Sequence, residues 1–278
     1  MHNRNIILCA IASLLFALLS YADEPINRTG NTPVPDSAPR IIYQTQQPVK
    51  EIPLTKARIK FDDPNWDFGS IQKGSTVSHN YWFSNVGTED LVITKIKPTC
   101  GCTTTKSKGI TVPPGGRSYI DISFNSGRFN NVITKGIVVE TNDALNPYLE
   151  LRFTATINNP AQLLETAPLE ANFKSVPKGQ PADLTLKLKN VDSTRSKIHF
   201  VETPDDTFIK ISPTKLTLKP QGIAEIKLSL NAANMDPGPF ASSLTIEAEG
   251  KPGSRITVPI IGTIVTESSS APKENATQ

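Results

Sequence analysis

Val77-Ser78-His79-Asn80-Tyr81-Trp82-Phe83 places Val77, His79, Tyr81 and Phe83 in one phase and Ser78, Asn80 and Trp82 in the other. Side chains two residues apart share one face of an extended chain, so this stretch reads as a β-strand with one buried face. The same period returns in Ile120-Ile122-Phe124 and Ile137-Val139, and again in Leu184-Leu186-Leu188, Ile226-Leu228-Leu230 and Leu244-Ile246. Gly, Pro and Asn punctuate these segments as turns. The predicted fold class is all-β.

These segments belong to a repeat. Phe68, Ser70, Lys73 and Gly74 recur 105 residues later as Phe173, Ser175, Lys178 and Gly179, and Asn85-Val86 recurs at the same offset as Asn190-Val191. Thr111, Pro114, Gly116, Ile120, Ser123 and Asn125 recur at offset 106, from Thr217 to Asn231, and Thr156-Ile157 recurs at offset 107 as Thr263-Ile264. A slowly drifting offset with matched turn residues is the mark of a duplicated domain with small loop insertions. About 100 residues of short strands per copy is the size of an immunoglobulin-like sandwich. The expected domains are 56–158 and 159–267, joined by a short extended hinge at Asn158-Asn159-Pro160. The expected core is Val77, Tyr81, Phe83, Ile122, Phe124 and Val139 in the first copy, with Leu184, Leu186, Leu188, Leu228, Leu230 and Ile246 in the second.

The ends of the chain read differently. Residues 1–22 have a basic start (His2, Arg4), an apolar run from Ile6 to Leu19, and Ser20-Tyr21-Ala22, with small residues where a signal peptidase reads. The run is shorter than the ~20 residues that span a bilayer, so a cleaved signal peptide is expected, leaving a periplasmic or secreted protein with no membrane span. Residues 23–55 carry six prolines among polar residues and read as a Pro-rich flexible linker. Residues 268–278 read as a disordered tail. With 29 basic and 26 acidic residues and no basic run, the chain has no electrostatic footprint for nucleic acid.

Several segments of the first copy resemble one bacterial exported family, known only as a domain of unknown function (fifteen seventy-three). They are Ile59-Lys60-Phe61, Asp67-Phe68-Gly69 with Gly74, Val77-Ser78-His79-Asn80-Tyr81-Trp82-Phe83, Asn85-Val86-Gly87 and above all Thr99-Cys100-Gly101-Cys102-Thr103. The resemblance covers roughly 57–157. It implies an immunoglobulin-like sandwich related to the modules of major sperm protein and pilus chaperones, with no established enzymatic activity. The second copy departs from the pattern: Lys174 stands for Gly69, Asp192 for Gly87, and Asp205 and Thr207 where the cysteines would be.

Candidate chemistry is sparse. No HExxH, GxSxG or phosphate-binding glycine loop occurs. Ser-x-x-Lys appears three times (Ser70-Lys73, Ser175-Lys178, Ser212-Lys215) in strand-linking turns without a Lys-Thr-Gly partner, so no catalytic residue is assigned. No cofactor is assigned either, a soft metal ion aside. His79 reads as a half-buried histidine at the end of a core face, and His199 has no partner motif. Trp82, out of phase with its neighbours, points to the other face of its sheet; with Trp66 it is the candidate stacking residue for a carbohydrate.

Cys100 and Cys102 are the cysteines left after cleavage. In an extended strand their Cα atoms would stand about 6.6 Å apart, near the ~6.8 Å limit for a disulfide, so Gly101 must bend the chain to close one. So small a ring contributes roughly 1.6 kcal/mol of unfolded-chain restraint, too little for a structural staple. Four readings stay open: a local disulfide or packed thiol pair, a redox pair, a soft-metal (copper-type) site with His79 as third ligand if its strand lies beside theirs, or an intermolecular bond. The leading functional expectation is a non-enzymatic binding or structural protein of the bacterial envelope whose partner is a protein or envelope component.

Overall fold

The structure is a computed structural model that describes residues 56–266, all within one compact unit. The expected signal peptide, Pro-rich linker and tail lie outside the described residues. The first copy forms β1 (Ile59–Phe61), β2 (Asn65–Ile71), β3 (Thr76–Asn85), β4 (Leu91–Pro98), β5 (Thr103–Thr104), β6 (Ile110–Val112), β7 (Arg117–Asn125), β8 (Asn131–Thr141) and β9 (Tyr148–Ile157). The second forms β10 (Leu164–Ala167), β11 (Ala171–Pro177), β12 (Pro181–Asn190), β13 (Ser196–Glu202), β14 (Ile209–Ser212), β15 (Leu216–Leu218), β16 (Ile223–Asn231), β17 (Gly238–Ala248) and β18 (Ile256–Val265). Each copy closes as a β-sandwich. β1-β3-β7-β5 is the four-stranded sheet of the first and β10-β12-β16-β14 that of the second.

The opposing layers of the two sandwiches are one continuous sheet, in the order β15-β13-β17-β18-β2-β9-β8-β4-β6, with β11 also paired to β18. The seam is the parallel contact of β18 with β2, where Ile256 stands opposite Ser70 and the Ser70 amide donates to the Arg255 carbonyl at 2.7 Å.

The in-phase residues fill the two cores. Val77, Tyr81, Phe83, Ile122, Phe124 and Val139 are buried in one; Leu186, Leu188, Leu228, Leu230 and Ile246 are buried in the other. Leu184 is half-buried. It is the counterpart of His79, and in the first copy that position is closed off by the second sandwich.

The recurring turn residues have a common physical cause. Asn85 is fully buried; its Nδ2 donates to the carbonyls of Glu89 and Val112, and its Oδ1 accepts from the Gly87 and Arg58 amides. Asn190 repeats the pattern, donating to Thr194 and Lys219 and accepting from the Asp192 amide and Ser196 hydroxyl. One amide side chain thus satisfies a turn and a neighbouring strand that would otherwise hold unpaired buried groups.

The link between the copies differs from an extended hinge. Asn158 adopts φ 53°, its amide donates to Ile71, and its Oδ1 accepts from the Lys73 amide. The Asn159 side chain accepts from the Ala161 amide at 3.0 Å. Pro160 does restrict Asn159, but the two asparagines fold the link into a turn fastened to the first sandwich.

Candidate functional site

Three places hold the residues singled out above. The first is the corner where the chain leaves β4 in the shared sheet for β5 at the edge of the four-stranded sheet. Residues 99–102 form a turn here, and Cys100 and Cys102 are joined in a disulfide with Cα atoms 5.3 Å apart. The corner is held from both layers: the Thr99 amide donates to Gly136 at 3.0 Å, and the Asn125 amide donates to the Cys102 carbonyl at 2.9 Å. Cys102 packs against the first core, whereas Gly101 is exposed with open space around it.

The register corrects the expected equivalence in the second copy. Thr103 stands opposite Phe124 and Ile209 opposite Leu230, and the Asn231 amide donates to Phe208 as Asn125 does to Cys102. The counterparts of the cysteines are therefore Asp206 and Phe208, one residue beyond Asp205 and Thr207. Phe208 packs against the second core as Cys102 does against the first.

The soft-metal reading of Cys100, Cys102 and His79 is not supported by the geometry. β7 stands between β3, which carries His79, and β5, which follows the cysteines. The disulfide leaves neither sulfur as a thiolate ligand. Among the described residues no group of three or more His, Cys, Asp or Glu is placed to hold a metal ion.

The second place is the junction. His79 is 8% exposed; its ring stacks on Trp66 with centroids 3.9 Å apart, and its Nδ1 lies 2.9 Å from both carboxylate oxygens of Glu202 on β13. Glu202 also accepts from the Asn80 amide at 3.2 Å, and the Ser243 hydroxyl accepts from the Ser78 amide at 2.8 Å. Arg255 reaches back to the Asp67 carbonyl at 3.1 Å and lies over Trp66, whose Nε1 is buried with no partner among the described residues. The neighbouring Tyr81 phenol is pushed far above its usual range by burial, and next by the charges of Asp63 and Glu202. The sequence signal missed here was β13: nothing in its pattern says that Glu202 ends beside a histidine 123 residues away. His199, by contrast, is an exposed residue 3.4 Å from Glu247. Ser70 donates to Gln162 and Lys73 to Asn130, so this Ser-x-x-Lys pair is spent on separate structural contacts.

The third place is the outer face of β3 and β7. Trp82 and Tyr119 face each other across the strand pair, 39% and 42% exposed, with ring centroids 4.8 Å apart. Arg117 lies 5.0 Å from the Trp82 centroid and is paired with Asp62. Trp66 is buried, so the two tryptophans do not share a surface.

Residues 59–157 match the family model described as a protein of unknown function (DUF1573), and residues 163–263 match that of the HYDIN/CFA65/VesB-like Ig-like domain. No curated protein matches the chain. Among solved structures, similar ones include a protein of unknown function from Porphyromonas gingivalis W83, 10% identical with a TM-score of 0.31, covering 74% of this chain and 99% of that one. The periplasmic chaperone SfaE is 11% identical with a TM-score of 0.31, covering 75% and 100%. PapD-like domain 7 of human CEP192 is 17% identical with a TM-score of 0.31, covering 40% and 91%. Among the described residues no helix is long and apolar enough to cross a membrane. The described residues are thus two Ig-like sandwiches in tandem, the first matching the DUF1573 family of unknown function and the second the HYDIN/CFA65/VesB-like Ig-like domain.

Proposed function

We propose that the chain is a non-enzymatic, exported binding protein of the bacterial envelope, periplasmic or secreted, whose two sandwiches act as one body and recruit a protein partner on the outer face of β3 and β7. The observation that carries this reading is the exposed Trp82-Tyr119 pair with Arg117 beside it, because Trp, Tyr and Arg are the side chains that dominate binding energy at protein interfaces. The sheet edges offer less. β1, β5, β6, β10, β14 and β15 are two to four residues long, which gives an incoming strand little backbone to pair with, and the longer β11, paired only to β18, is interrupted by a bulge between Asn172 and Ser175. Carbohydrate stacking needs an open ring face, and Arg117 and Tyr119 both lean on Trp82.

The test is photo-crosslinking in envelope extract from a probe placed at Lys60, exposed on β1 beside this face. Trp82→Ala, at a side chain 39% exposed and outside the core, is expected to reduce the crosslinked protein species at least tenfold while the circular dichroism spectrum is unchanged. Equal crosslinking by the variant would remove the binding surface from this face, and Trp82-dependent capture of a glycan instead would make the partner a saccharide.

A further inference from the structure

Thr103 is 4% exposed, and its hydroxyl has two hydrogen-bond partners among the described residues, both sulfur: Cys100 Sγ at 3.7 Å and Cys102 Sγ at 3.9 Å. A disulfide sulfur is a weak acceptor, whereas an ionised acceptor forms a hydrogen bond roughly twice as strong. A buried hydroxyl so placed is poorly satisfied while the cysteines are oxidised and well satisfied once either becomes a thiolate. The second copy supplies the control. At the same register position it carries Ile209, buried and without a hydroxyl, beside Phe208 in place of Cys102. Sulfur pair and hydroxyl are thus present together in one sandwich and absent together in the other, and the fold is built both ways.

The disulfide is also poorly suited to a structural role. It closes a ring of three residues, which restrains little chain entropy, and the corner is already fixed by Thr99, Gly136 and Asn125. Gly101 between the cysteines is exposed, with nothing within 4 Å of where a side chain would begin, and Cys100 is only half-buried.

We propose that Cys100–Cys102 is a thiol–disulfide exchange site for a protein or peptide dithiol, with Thr103 as the positioning residue for the leaving thiolate. This goes beyond the binding role and does not depend on the Trp82 face. A partner thiolate attacks Cys100 Sγ, the sulfur away from the core. A mixed disulfide forms, the Cys100–Cys102 bond breaks, and its electron pair passes to Cys102 Sγ. That thiolate accepts the Thr103 O–H and then takes a proton from water. The partner's second thiolate attacks its own sulfur in the mixed disulfide and releases Cys100, which is protonated in turn. The partner is oxidised by two electrons to a disulfide, and the pair is reduced to two thiols. The reverse sequence reduces a partner disulfide.

The experiment uses the purified protein with dithiothreitol as the dithiol, trapping thiols by alkylation and counting them by mass spectrometry over time. The wild type is expected to be reduced while still folded. Thr103→Val, which substitutes an apolar residue as the second copy does, should be reduced roughly tenfold more slowly, the size expected for one lost hydrogen bond to a charged group. Thr103→Ser should restore the wild-type rate. A bond that opens only when the protein unfolds, or a Thr103→Val variant reduced as fast as wild type, would overturn the proposal.

Discussion

His79 on the first sandwich and Glu202 on the second meet with the imidazole Nδ1 2.9 Å from both carboxylate oxygens, the ring stacked at 8° to the plane of Trp66. The contact makes one body of two domains that the duplication alone would have left as beads on a string. It also explains a histidine in a strand whose copy has leucine. A core-phase residue in the first half of β3 is the first sandwich's half of a polar latch.

Replacing His79 by Leu, the residue of the second copy, keeps the volume but strands the partly buried carboxylate of Glu202. Loss of one partner of such a contact costs about 1–3 kcal/mol. Chemical denaturation should show that loss, and Glu202→Gln, which keeps a hydrogen-bonding group, should cost less. No loss of stability in either variant would mean that packing, not the His79–Glu202 contact, holds the junction.

Gly69 shows how close the domains come. It has φ 66°, and a methyl group there would fall 2.2 Å from the Arg255 carbonyl oxygen. Lys174 has the same backbone, φ 59°, at the equivalent bulge, with the Asn172 side chain accepting its amide as Asp67 accepts that of Gly69. The bulge itself accepts a lysine in the second copy, so the glycine is demanded by the docked second sandwich. Gly69→Ala should cost more than the ~1–2 kcal/mol of left-handed strain alone, whereas Gly179→Ala, at φ 85° with open space around it, should cost no more than that. Thermal melts of the two variants make the comparison, and similar shifts would refute the close approach.

Much of this was legible in the sequence because it is local. The alternation of Val77, Tyr81 and Phe83 reports which face is buried, and Asn85 and Asn190 mark the same turn twice. The junction was not legible, since nothing in Ser70 or Ile256 says that their strands lie side by side. Nor was the true counterpart of Cys102. Between Asn190 and Thr217 the offset drifts by one residue, and only the pairing of β14 with β16 places the drift before Phe208 rather than after it. The disulfide needed the bend at Gly101, which the spacing allowed but did not require.

Asp143 ties β1 to the β8–β9 turn. It is fully buried and accepts from the Ile59 and Leu145 amides and from Asn146, with Arg58 at 3.3 Å. Burial works against its charge, but the Asn146, Ile59 and Leu145 hydrogen bonds and the Arg58 charge outweigh it, and its pKa is held below the ordinary value of 3.8. A depressed carboxylate stabilises the fold at pH above its unfolded value, and the contribution is lost as pH falls through the folded one. Asp143→Asn, which turns a donor toward donors, should therefore cost about 1–3 kcal/mol near neutral pH, and the difference from wild type should shrink as pH drops below about 4. A difference independent of pH would assign the effect to shape rather than charge.

The union of the two sandwiches is tested most directly by native-state hydrogen exchange at three junction amides: Ser70, which donates to Arg255; Ser78, which donates to Ser243; and Asn80, which donates to Glu202. If the domains are one body, these amides exchange as slowly as those of the paired core strands β3 and β7. If the three exchange together at the rate of exposed loops while the cores stay protected, the sandwiches are hinged, and the account is contradicted.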